Sequence, residues 1–97
     1  MIDKDVILLE FYNRSTSNKR LLPSHLVLFT VIYLQMDKTK ADLSVRITRK
    51  KIMQLAKIKS NSTYHRCVND LVNFGYIIYH PSYNHYDGTL VIFTTKS

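Results

Sequence analysis

The residues best suited to bind a ligand in this chain form a basic stretch without acids. Seven of the 14 Lys and Arg residues lie between Leu43 and Asn69, where the sequence contains no Asp or Glu. The rest of the chain carries seven cations and seven acids, so the net charge of +7 belongs to this stretch. Its cations are Arg46, Arg49, Lys50, Lys51, Lys57, Lys59 and Arg66. Such a concentration of positive charge favours a polyanionic partner.

The same stretch contains polar side chains of the types that distinguish nucleic-acid bases. In the major groove Arg pairs with guanine, Asn with adenine, and Ser or Thr with either, through hydrogen bonds to base edges. We expect Arg66 and Asn69 to contact bases, and the lysines to contact phosphates. The candidate DNA-binding residues are Arg49, Lys50, Lys51, Lys57, Lys59, Asn61, Ser62, Thr63, His65, Arg66, Asn69, Asn84 and His85.

Two short helices joined by a tight turn are predicted to position most of these residues. Thr48 and Ser60 are good N-cap residues for the two helices, and Gly75 is the residue expected just past the end of the second. Spacings of three and four residues predict one apolar side on each helix. These sides comprise Ile52, Leu55 and Ala56 in the first helix, and Tyr64, Cys67, Val68, Leu71 and either Val72 or Phe74 in the second.

Further elements are predicted on both sides of this pair. Asp3 and Asp5 open a first helix, and Pro23 opens a second, with Ser24 as its cap, that runs to Met36 and is apolar nearly all round. A short strand follows at 43–47, and strands at 76–79 and 90–94 form a two-stranded β-hairpin with a turn at Asp87-Gly88. We therefore expect one α+β domain, 1–97, comprising an N-terminal helix and loop (1–22), a helix-turn-helix (48–75) and a hairpin (76–95).

The segment ITRKKIMQLAKIKSNSTYHRCVNDLVNFGYI resembles the helix-turn-helix and first wing strand of bacterial winged-helix regulators. The likeness lies in Thr48, Ile52, Leu55-Ala56, Ile58, Ser60, Thr63-Tyr64, Val68, Leu71 and Gly75-Tyr76-Ile77. With LLPSHLVLF and YIIYHPSYNHYDGTLVIF added, the chain is similar to small winged-helix proteins carried on mobile elements of Bacteroides-type bacteria. This resemblance implies a winged helix that binds double-stranded DNA, as a transcriptional regulator or as an accessory factor for element excision or transfer.

The chain departs from the winged-helix pattern at two places. Lys59 stands in the turn where a small residue is common, and the wing tip YNHYDG lacks the Lys or Arg that often reaches DNA. Asn84, His85 and Tyr86 are weak substitutes. Contact between the wing and DNA is therefore the least supported part of the resemblance.

The sequence offers few residues suited to metal binding, catalysis or a phosphate-binding loop. The four histidines lack the spacing of a metal site on a helix, Cys67 is predicted to face the core, and two glycines are too few for a phosphate-binding loop. We expect no enzymatic activity, metal or cofactor. The alternatives are a winged-helix protein-interaction module without base-specific DNA contact, and single-stranded nucleic acid stacked on Tyr83 and Tyr86.

Cellular location and assembly follow from the apolar residues. The lone Cys67 cannot form an internal disulfide, no basic and apolar leader is recognisable, and the apolar run at 26–36 is about half of the ~20 residues of a membrane span, so we expect a cytoplasmic protein. The first two helices have more apolar surface than a small domain hides. A homodimer through Val6, Leu9, Phe11 or Tyr12 would suit a two-fold operator.

Overall fold

The computed structural model describes residues 5–37, 39, 42–81 and 88–94. Within them the chain has an α+β fold of four helices and one three-stranded antiparallel sheet. The elements are α1 (Asp5–Ser15), α2 (Pro23–Leu34), β1 (Ser44–Ile47), α3 (Arg49–Ala56), α4 (Asn61–Asn73), β2 (Ile77–His80) and β3 (Thr89–Phe93). The predicted order of elements is confirmed, and β2 and β3 differ by one residue from the predicted bounds.

The sheet contains one more strand than the predicted hairpin. The strand order is β1-β3-β2, so β3 is central and pairs with β1 as well as with β2. Val45 of β1 pairs with Val91 of β3, and both side chains are buried. β1 also runs close to Gly88, where a Cβ would lie only 2.7 Å from the carbonyl oxygen of Ile47. The missing side chain at this position therefore permits the approach of β1.

Helix α2 lies at the centre of the core, as its apolar sequence predicts. It contacts α1, α3, α4 and β1. The ring of Phe29 stacks on Phe11 of α1 at a centroid distance of 3.7 Å and meets Phe93 of β3 edge-on at 5.2 Å. Because Phe11 is 2 % exposed, it belongs to this core and cannot contribute to the dimer contact predicted for it.

The start of α2 differs from the prediction. Its N-cap is Leu22 and not Ser24, and no side chain of the N-cap residue satisfies the helix start. Instead the ring nitrogen Nδ1 of His25 accepts a hydrogen bond of 2.8 Å from the backbone N–H of Leu22. Pro23 occupies the first helical turn, where a missing N–H costs nothing. None of the helices among the described residues is long and apolar enough to cross a membrane.

Candidate nucleic-acid interface

Helix α3 presents its cations to solvent at its first turn. The hydroxyl of Thr48 accepts a hydrogen bond of 3.3 Å from the N–H of Lys51, which confirms the predicted cap. Ile52 and Ala56 are buried, whereas Leu55, predicted to join them, is 49 % exposed because it lies at the edge of the buried side. The cations of the first turn are Arg49, Lys50 and Lys51, all exposed. They oppose the helix dipole at a cost of roughly 0.3–1 kcal/mol each, which favours a functional reason for them.

The turn between α3 and α4 holds a lysine in an unfavourable backbone conformation. Lys57 has φ 59° and ψ 33°, the left-handed region that normally favours glycine. The N–H of Ile58 donates to the carbonyl of Met53 at 2.9 Å and closes the end of α3. Lys57 and Lys59 are exposed on either side of the half-buried Ile58. A non-glycine residue in this conformation costs about 1–2 kcal/mol, so local geometry does not explain the lysine.

Helix α4 turns most of the predicted contact residues to one side. The hydroxyl of Ser60 accepts a hydrogen bond of 3.4 Å from the N–H of Thr63, which confirms the second predicted cap. The exposed residues of the outward side are Asn61, Ser62, His65, Arg66 and Asn69. At 3.6 residues per turn they span an arc of roughly 140°. The side chain of Thr63 is half-buried at the flank of this arc, so it is the least accessible of the helical candidates.

The opposite side of α4 is held in the core. Its buried residues are Tyr64, Cys67, Val68 and Leu71, as predicted, while Val72 is exposed and Phe74 is half-buried. The hydroxyls of Tyr64 and Tyr79 lie 3.3 Å apart, which joins α4 to β2. Burial, assisted by this hydrogen bond, raises the pKa of the Tyr64 hydroxyl well above its usual range. The phenol therefore stays neutral.

A buried histidine also engages the single acid of α4. His25 of α2 is 2 % exposed, and its Nε2 lies 2.9 Å from a carboxylate oxygen of Asp70. Since Nδ1 accepts from the backbone N–H of Leu22, Nε2 carries the hydrogen and donates it to Asp70. Sequence reasoning considered His25 only as a metal ligand. The one acid in an otherwise acid-free helix was a signal for an internal partner, but 45 residues separate the two.

Two of the predicted contact residues belong neither to α3, nor to the turn, nor to α4. All the predicted contact residues on α3, on the turn and on α4 lie on neighbouring elements, whereas Asn84 and His85 lie outside the described residues. Arg46, exposed in β1, extends the same acid-free stretch of sequence. Among the described residues no cluster of His, Cys, Asp and Glu could hold a metal ion. We call the exposed cations and polar residues of 49–69 the α3–α4 surface.

Comparison of the chain with protein-family models, with curated proteins and with solved structures gives no match.

Proposed function

We propose that this chain is a winged-helix protein that binds double-stranded DNA, with α4 as the recognition helix in the major groove. The arrangement of the helices and strands and the width of the major groove support this proposal. Two capped helices joined by a four-residue turn at 57–60 precede a β-hairpin, and a first strand completes the sheet. An α-helix with side chains has a diameter of about 10–12 Å, and the major groove is ~12 Å wide.

The observation that carries the proposal is the absence of carboxylates from the α3–α4 surface. The described cations of α3, of the turn and of α4 are all exposed, and the single acid of α4, the half-buried Asp70, follows the last residue of the surface and has one carboxylate oxygen hydrogen-bonded to the buried His25. Solubility alone does not require a surface without acids, because a surface of mixed charges also keeps a protein in solution. Exclusion of acids suits a polyanion with closely spaced phosphates.

On the α3–α4 surface, α4 would contact bases, while the first turn of α3 and the turn after α3 would contact phosphates. Arg66 and Asn69 offer the side-chain types that pair with guanine and adenine, so we assign them to base edges. We assign to phosphates the lysines of the first turn of α3 and of the turn after α3, which are Lys50, Lys51, Lys57 and Lys59. Bound in this way, the protein would act by occupying a site, in transcriptional regulation or in excision or transfer of a mobile element.

The proposal is tested by binding the chain to random-sequence duplex DNA at two salt concentrations, with duplex RNA and single strands as competitors. We expect salt-sensitive binding to duplex DNA, and enrichment of a definite sequence when the retained duplexes are selected and sequenced. Absence of salt-sensitive duplex binding would instead favour a protein-interaction module. Retention of single strands in preference to duplexes would also contradict the proposal.

Two classes of variant test the division of work. Arg66→Ala or Asn69→Ala should weaken binding to the selected sequence by about 1–3 kcal/mol and relax one position of the site. Lys50→Ala should weaken binding to all sequences alike. Asn13→Ala, which removes an exposed amide from α1, is the matched control for Asn69→Ala and should change neither property. Equal effects of Arg66→Ala and Lys50→Ala on every duplex would show that α4 does not contact bases.

A further inference from the structure

A second group of cations surrounds a pocket at the other end of α4. The loop between α1 and α2 lies against the carboxyl end of α4 and forms with it a shallow pocket, largely open to solvent, of about 590 Å³. The pocket is lined by Arg14, Ser17, Asn18, Lys19, Arg20, Phe74 and Tyr76. Three of these seven residues are cations and none is an acid. Pockets that bind small ligands have volumes of about 300–1,000 Å³, so the size is suitable.

Two aromatic rings hold the arginines of this pocket in place. The guanidinium of Arg14 lies 4.5 Å from the ring centroid of Tyr76, and that of Arg20 lies 4.1 Å from the ring centroid of Phe74. Both rings are placed by the end of α4, where Gly75 has φ 85° and its N–H donates to the carbonyl of Val72 at 3.0 Å. The arginines are therefore positioned before any ligand binds.

The loop itself is organised by one asparagine. The amide nitrogen of Asn18 donates to the hydroxyl of Tyr76 at 3.2 Å, and its amide oxygen accepts from the backbone N–H of Arg20 at 3.1 Å and from its Nε at 3.4 Å. A guanidinium over an aromatic ring can still donate hydrogen bonds from the N–H groups that point away from the ring. Among the described residues the Arg14 guanidinium contacts the Tyr76 ring and donates no hydrogen bond, whereas Arg20 uses its Nε for Asn18.

The charges around the pocket determine the class of ligand. The acids nearest in sequence to the lining residues are Glu10, one turn before Arg14 on α1, and the half-buried Asp70, one turn before Phe74, which has one carboxylate oxygen hydrogen-bonded to His25. Three cations around one pocket exceed what a singly charged anion neutralises. The geometry points to a binding site for a small phosphate monoester, whose doubly charged phosphate accepts hydrogen bonds from Arg14 and Arg20 together.

This site is separate from the α3–α4 surface. The pocket shares no residue with that surface, and Phe74 lies five residues beyond Asn69, the last residue of the surface, or about 7.5 Å along the helix axis. The phosphate site therefore stands whether or not the α3–α4 surface binds DNA. A phosphodiester of DNA offers related chemistry but one charge per phosphate, so the test must distinguish the two sources.

The test is a titration of the full chain at pH 7.5 and constant ionic strength, followed by the NMR signals of the arginine Nε–H groups and of the Asn18 side-chain amide. The probes are inorganic phosphate, glycerol 3-phosphate, dimethyl phosphate and a short DNA duplex. We expect saturable shifts with the first two probes and binding at least about tenfold weaker with dimethyl phosphate, because the diester has one charge. The double variant Arg14→Gln/Arg20→Gln, followed by the Asn18 side-chain amide, should lose the shift, whereas Lys50→Gln/Lys57→Gln, with the same loss of charge, should keep it.

Two results would overturn the assignment. Shifts that grow linearly with every salt would show general screening and no site. Shifts at Arg14 and Arg20 produced by the duplex but not by glycerol 3-phosphate would make the pocket part of a DNA surface. Since the titration of the unaltered chain decides both cases, the result does not depend on the folding of the variants. Failure of DNA binding at the α3–α4 surface is measured separately and leaves this result unchanged.

Discussion

The α3–α4 surface and the phosphate pocket are both basic, but they hold their cations differently. On the α3–α4 surface, lysines such as Lys50, Lys57 and Lys59 extend into solvent. In the pocket, the guanidinium groups of Arg14 and Arg20 lie over aromatic rings. Long ammonium side chains can adjust to successive phosphates along a duplex, whereas stacked guanidinium groups define the place of one compact anion. The number of cations alone therefore does not indicate the kind of partner. Whether each cation extends into solvent or lies over an aromatic ring matters as much.

The largest difference between the two regions should appear in the salt dependence of DNA binding. The triple variant Lys50→Ala/Lys57→Ala/Lys59→Ala removes three lysines proposed to contact phosphates, so the log-log slope of affinity against salt should become shallower by about 2.7. The matched variant Arg14→Ala/Lys19→Ala/Arg20→Ala removes the same net charge and should leave the slope unchanged. Fluorescence anisotropy with a random duplex measures both. Equal changes of slope would show that only the net charge matters.

A smaller effect separates folding from binding within the α3–α4 surface. Lys57→Gly removes the steric strain of the left-handed backbone conformation at φ 59°, but it also removes one cation. The free energy of unfolding should stay the same or rise by up to about 1 kcal/mol, because glycine adopts this conformation without a steric penalty but loses more entropy on folding. Duplex affinity should fall at the same time. Chemical denaturation and anisotropy on one sample give both values, and a variant that loses stability would contradict the described turn.

The smallest effect concerns the stability that the pocket cations contribute. Arg20→Ala removes the guanidinium stacked on Phe74, so the free energy of unfolding should fall by about 0.5–1 kcal/mol. Lys59→Ala removes an exposed cation for which the structure gives no ring contact, and it should change stability by less than about 0.5 kcal/mol. Urea denaturation of the two variants provides the comparison. If Lys59→Ala were the more destabilising of the two, the distinction between supported and extended cations would be wrong.

The features that sequence reasoning predicted are those with local signals. The caps Thr48 and Ser60 and the buried stripe of α4 depend on residues within one or two turns, so they could be identified from spacing alone. The predicted cap of α2 was wrong, because the side chain that forms a hydrogen bond at the start of the helix belongs to His25 and not to Ser24. A ring nitrogen in this role is not among the usual capping groups.

The features that were missed depend on contacts distant in sequence. The pairing of β1 with β3 joins Val45 to Val91, and the pocket joins Arg14 to Tyr76. No pattern within either segment specifies its partner, because the two residues of each contact lie far apart in the sequence. The α3–α4 surface was accessible to sequence analysis because all its cations come from one stretch, whereas the pocket draws its cations and its rings from two.

The most direct test of the proposed DNA interface is a map of backbone amide chemical-shift changes when a short duplex is added to the full chain. We expect the changes to concentrate at 48–51 and 57–69, on α3, the turn and the outward side of α4. Amides of the loop at 15–20 should stay unchanged at the same duplex concentration. Changes confined to that loop or to the exposed side of α1, or no changes at low salt, would contradict the assignment of the α3–α4 surface to DNA.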